Sequence, residues 1–111
     1  MESTMTHVVV LITTSSKHEA EEIGKALLES RLAACVNIVE PVRSLFRWQG
    51  AIERQEEALM LVKSRSDLLP SMIRIVKEMH SYTVPEVIAL PILAGSSDYI
   101  GWVDESLRPT L

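Results

Sequence analysis

Cysteine is nearly missing from this 111-residue chain: Cys35 stands alone, so there is no disulfide framework and no CxxC metal or redox pair. Aromatic residues are scarce at 5%, and only four glycines are present. No glycine-rich phosphate loop is visible, which argues against nucleotide binding. Eleven basic residues against fifteen acidic give a net charge of −4, with no block of like charge. Nucleic acid needs a basic face, so it is excluded as the main partner. No apolar run approaches the length of a membrane span, and no basic segment precedes an apolar one at the N-terminus. A cytoplasmic protein without a membrane partner is expected. Neither a serine-nucleophile elbow nor an HExxH pair occurs, so the sequence offers no catalytic group, and a Cys35–His80 nucleophile and base is the only enzymatic alternative.

What is present is organised around residues 36–64, VNIVEPVRSLFRWQGAIERQEEALMLVKS. They read as two strands folded back at Trp48-Gln49-Gly50, with Gly50 supplying positive φ at the last position of a type I turn plus bulge. Each arm of about thirteen residues spans roughly 43 Å. A domain of this length is only about 34 Å across. The tip also carries Leu45, Phe46 and Trp48, apolar groups that a lone copy leaves in water. An arm lying on another copy of the same chain resolves both problems.

Residues 1–6 read as a disordered lead-in, and 7–111 as one domain. His7 to Thr13, HVVVLIT, is a β-branched run suited to a strand buried on both faces. Ser16 and Glu19 have capping-box spacing, and Ala20, Ile23 and Leu27 form the stripe of a helix ending near Arg31, thinned by Gly24. In the second arm ERQEE is polar on both faces, whereas ALMLV is apolar on both and belongs at the centre of a sheet. Ser66 then caps a helix with Leu69, Met72, Ile73 and Val76 inward, closed by His80 and Ser81. Pro85 to Leu93 is a fourth strand, and Ser96 or Ser97 caps a short last helix stopped before Pro109.

The order β-α-β-β-α-β plus a helix is the α+β, ferredoxin-like split pattern with an antiparallel sheet. Proline cannot donate to a ladder, so Pro41 and Pro91 put the second and fourth strands at the edges, giving the order 4-1-3-2. The right-handed crossover rule places both long helices on one face.

Four motifs in order then become familiar: RLAACVNI from Arg31, FRWQG from Phe46, HSYTVPE from His80 and DYIGW from Asp98. Together they resemble the CutA family of divalent-cation tolerance proteins, over about Val8 to Leu107. The resemblance implies a homotrimer, architecturally similar to the PII signalling proteins, linked to tolerance of copper and other divalent metals, without an organic cofactor. Some members place a cysteine at the end of the first strand and two adjacent histidines after the second helix. The matching positions here are Ile12, Met79 and His80, so only His80 is retained.

Copper favours thiolate, thioether and imidazole ligands converging in space, which makes His80 and Cys35 the candidate metal residues. Each has a plainer reading. His80 at a helix C-terminus suits the dipole, and Cys35 suits a small buried hydrophobe. The resemblance also suggests an inter-subunit cleft with Trp48, Glu57, Lys63, Tyr82 and Glu86 at its edges. Trp48 equally serves as an interface anchor, and Tyr82 and Glu86 as hydrogen bonds that shape the loop around Pro85. Two functions follow: a metal-responsive trimer binding divalent cations weakly, or a PII-like module taking a small metabolite in that cleft.

Overall fold

A computed structural model describes residues 5–110, so most of the expected lead-in lies outside them. Its elements are β1 (His7–Thr14), α1 (Lys17–Glu29), β2 (Cys35–Trp48), β3 (Ala51–Arg65), α2 (Leu69–Met79), β4 (Val87–Pro91) and α3 (Ser97–Ser106). The four strands form one antiparallel sheet in the order β2-β3-β1-β4. This is the ferredoxin-like arrangement, with the proline-bearing strands at the edges. Pro41 follows a cis peptide bond inside a bulge between Val39 and Val42, where its missing N–H leaves no gap in the ladder. Pro91 ends β4, which is shorter at both ends than its apolar run suggests.

Alternation along the strands sorts the side chains into two faces. Val8, Val10 and Ile12 of β1 join Ala58, Met60 and Val62 of β3 under Ile23 and Leu27 of α1 and Met72 and Val76 of α2, forming the core. Gly24 lets α1 lie close on the sheet, because a Cβ there would stand 3.3 Å from Val36 Cγ1. β1 departs from expectation. Val9, Leu11 and Thr13 are only half-buried, since both long helices cover the same face and, among the described residues, nothing covers most of the other.

Local signals act where they were expected, with changed partners. Ser16 Oγ accepts from the Glu19 N–H at 3.1 Å, but the Glu19 carboxylate reaches the Ser15 N–H at 3.0 Å rather than that of Ser16. α1 closes in a Schellman motif: the Leu32 N–H donates to Leu27 O at 2.9 Å and Arg31 takes φ 58°. Ser66 does not cap α2. Its hydroxyl accepts from the Thr6 N–H at 2.9 Å, and a 3-10 turn over Ser66–Leu68 comes before the helix. Thr6 is thus already tied to the domain. Ser96 is the N-cap residue of α3 without a side-chain bond.

The hairpin turn also corrects the sequence reading. Trp48 pairs directly with Ala51, and both intervening residues are left-handed, Gln49 at φ 48° and Gly50 at φ 82°. That is the two-residue type I′ signature, whose twist matches the strands it joins. The arms run 14 and 15 residues, and the longest dimension of the molecule is 43 Å. Around the tip Leu45, Trp48 and Ile52 remain more than half exposed in the single chain.

Candidate functional site

The sheet face away from α1 and α2 carries two polar clusters, one at each end. At the end covered by α3, Cys35 opens β2 and pairs in register with Lys63 of β3. Asn37, two residues on and on the same face, accepts from the Lys63 ammonium and lies 3.9 Å from Cys35 Sγ. Tyr99 of α3 reaches the same thiol. Burial raises the Tyr99 pKa, and the charge and hydrogen bond of Cys35 push it in the same direction. Trp102 leans on Tyr99 with ring centroids 5.5 Å apart. The helix is fixed there by Asp104, which hydrogen-bonds His7 Nε2 at 2.8 Å and lies 3.7 Å from the Arg65 guanidinium. Asn37 and Tyr99 were not singled out from sequence. Only the strand register and the return of α3 bring them to Cys35.

The opposite end is built by the segment after α2. His80 caps that helix with its N–H on Val76 O at 2.8 Å, and its ring is buried. Nε2 lies 2.7 Å from Thr13 O, and Nδ1 takes the Tyr82 N–H at 3.0 Å. A carbonyl only accepts and an amide N–H only donates, so Nε2 is the donor toward Thr13 and Nδ1 the acceptor from Tyr82. His80 is thus held by both ring nitrogens within the fold. Tyr82, its ring 4.7 Å from that of His80, donates its hydroxyl to Glu57 Oε2 at 2.8 Å. Burial raises the Tyr82 pKa well above the phenolic range, and the Glu57 hydrogen bond and charge add to the effect. The Glu19 carboxylate takes the Ser81 N–H at 2.7 Å and pins the segment to α1. Burial would raise the Glu19 pKa, but hydrogen bonds from Ser15 and Ser81 outweigh it and hold the carboxyl below its ordinary 4.5.

Glu57 is the unusual member. Only 8% of it is exposed, yet no cation pairs with it among the described residues, and the Tyr82 hydroxyl is its one hydrogen-bond partner. Glu86 is exposed beside this end, and Trp48 stands apart at the hairpin tip. Two surface hollows of about 540 and 510 Å³ contain none of the site residues expected from sequence.

The clusters do not meet within one chain. Lys63 and Glu57 are six residues apart on β3, about 20 Å. Cys35 lies level with Val9, whereas His80 bonds Thr13, four residues farther along β1. No three His, Cys, Asp or Glu side chains gather in metal-binding geometry among the described residues. With both nitrogens of His80 engaged, this chain by itself does not fit a preformed metal centre.

Comparison with known proteins decides the family. The family described as CutA1 divalent ion tolerance protein matches residues 8–106. The chain belongs to that family. The divalent-cation tolerance protein CutA of Thermus thermophilus is 49% identical over 98 residues, covering 88% of this chain and 95% of that protein. The protein of the same name from Archaeoglobus fulgidus is 46% identical over 102 residues, covering 92% and 99%. The crystal structure of CutA1 from Oryza sativa superposes with a TM-score of 0.92 at 37% identity, covering 95% of this chain and 96% of that one. This CutA1-family chain thus shares its overall fold with the Oryza sativa protein.

Proposed function

We propose that this chain is a non-enzymatic divalent-cation tolerance protein that works as a homotrimer, with a PII-like cleft between subunits for a small ligand. One observation carries the reading: the helix-free sheet face is apolar and uncovered. Val39, Ile88 and Leu90 are about half exposed there, beside the half-buried Val9, Leu11, Leu59 and Leu61. An uncovered apolar face of this kind is an association surface. The exposed Phe46 and Trp48 on the arm extend it beyond the domain. Assembly places polar groups from the ends of the face at subunit boundaries, where a small molecule or metal ion finds donors from two chains.

Copper, treated as cargo, binds weakly through the Cys35 thiol in this reading, because the soft sulfur is accessible while His80 is locked by Thr13 and Tyr82. Copper titration followed by native mass spectrometry tests the assignment. The expected outcome is loss of uptake in Cys35→Ala and retention in His80→Ala. Loss in His80→Ala alone would instead put the metal at the helix end and require the Tyr82 segment to open. A trimer that takes no copper but carries a small-molecule mass would leave the cleft reading as the working one.

A further inference from the structure

Two helices of this chain end in charge of the wrong sign. A helix C-terminus is the negative end of its dipole and favours a cation. α1 and α3 have no basic residue in their last turns, and each carries a carboxylate there instead, Glu29 in α1 and Glu105 in α3. Both carboxylates line one hollow of about 510 Å³ between the two helix ends. Each therefore opposes its own helix dipole and shares the hollow with a second negative charge, which is locally unfavourable. Arg31 is the cationic side chain in the hollow, and it does not offset them. It forms no ion pair among the described residues, and its guanidinium donates to Ser106 O at 3.4 Å. Arg108 in turn donates from Nε to Ser30 O at 2.9 Å. Both arginines thus serve carbonyls at the helix ends, and neither carboxylate has an ion-pair partner among the described residues. A local rule broken twice in one hollow is the mark of a place shaped for something other than stability.

We propose that this hollow binds a small organic cation, an ammonium or guanidinium group on an apolar stem. Its walls select for that class. Trp102 lines it and is 45% exposed, with Tyr99 packed on the ring at a centroid distance of 5.5 Å. An indole attracts a cation within about 6 Å of its centroid, and most strongly one that sheds water easily. Leu28, also lining the hollow and 42% exposed, offers a surface for the stem. The two carboxylates supply charge-assisted hydrogen bonds to the N–H groups of the ligand. A compact, strongly hydrated inorganic cation would use the carboxylates and leave the indole and leucine idle. The volume falls within the roughly 300–1,000 Å³ of small-molecule sites. The hollow lies where α1 ends, on the helix side of the sheet, so the proposal goes beyond the tolerance reading and stands without it.

Titration of the full chain with agmatine, which carries an ammonium and a guanidinium on one butyl stem, tests this. The readout is the pair of indole N–H resonances, since Trp48 at the hairpin tip and Trp102 in the hollow are the two tryptophans of the chain. A saturable shift of the Trp102 resonance is expected, with a Kd of about 1 mM or tighter, while that of Trp48 stays in place. Butylurea, of similar shape but uncharged, is expected to bind at least tenfold more weakly. Calorimetry on Glu29→Gln/Glu105→Gln should show at least a tenfold loss of affinity for agmatine, and Trp102→Leu a comparable loss. Glu29 and Glu105 are exposed, so the double glutamine variant should keep the melting temperature and sedimentation of wild type, which separates loss of the site from loss of the fold. Butylurea binding as well as agmatine, an unchanged affinity in the double glutamine variant, or a shift at Trp48 alone overturns the proposal. So does a Trp102 resonance that agmatine does not move. Binding of an acetylated, amidated lysine peptide by a chain that ignores agmatine overturns the small ligand in favour of a partner's side chain.

Discussion

At the scale of single residues, the polar groups of this chain are held by partners that neighbour them in space and not in sequence. Glu19 belongs to an ordinary capping signal, yet it bonds Ser81, sixty-two positions away, as well as Ser15. Those bonds hold its pKa below 4.5 despite burial. The carboxylate therefore stabilises the fold fully above about pH 4.5, and that stabilisation is lost as the pH falls through the lower folded value. Glu19→Gln is expected to lower the melting temperature at pH 7 and to flatten its fall between pH 5 and 3, read by thermal melts across that range. A parallel acid limb in the two proteins would show that Glu19 does not govern it. Ser16 and Glu19 were legible as a capping pair because the signal lies within four residues. The tie to Ser81 was not, since it depends on where α2 ends against β1.

At the scale of elements, periodicity and proline placement specified the sheet well. The two strands without internal proline are the central ones, and the sparing use of glycine finds its clearest reason at the hairpin turn. There Gly50 has φ 82°, a region that costs an L-residue about 1 kcal/mol or more. Gly50→Ala is expected to destabilise the protein by about 1 kcal/mol. Gln49→Asn, which eases the left-handed Gln49, is expected to stabilise it by roughly 0.5 kcal/mol. Urea midpoints with unchanged slope are the readout, and Gly50→Ala without effect would mean that the turn readily adopts another form. The length of the loop between Trp48 and Ala51 was misread from sequence because Gly50 suits both turn types. Only the pairing of Trp48 with Ala51 separates them.

At the scale of the whole molecule, the arm and the uncovered face argue for association together. The radius of gyration is 14.7 Å, above the roughly 13 Å of a compact domain this size, because the hairpin projects. Phe46 and Trp48 on that arm are 38% and 53% exposed in one chain. Joint replacement by alanine is expected to weaken assembly by about 3 kcal/mol for each ring that becomes fully buried, read by sedimentation and melting temperature. An unchanged profile in both would show that the arm does not pack on a neighbour.

The sequence by itself determined the element order, the edge strands, the overlong hairpin and the family, because each rests on signals within a few residues: period, proline, caps and contiguous motifs. The tertiary structure alone decided which side chains share a site. Strand register sets Cys35 against Lys63, the return of α3 brings Tyr99 to them, and the end of α2 locks His80 between Thr13 and Tyr82. It also left Glu57 buried, with no cation paired to it among the described residues. Such pairings join residues dozens of positions apart, and one residue of register moves a side chain to the opposite face of the sheet.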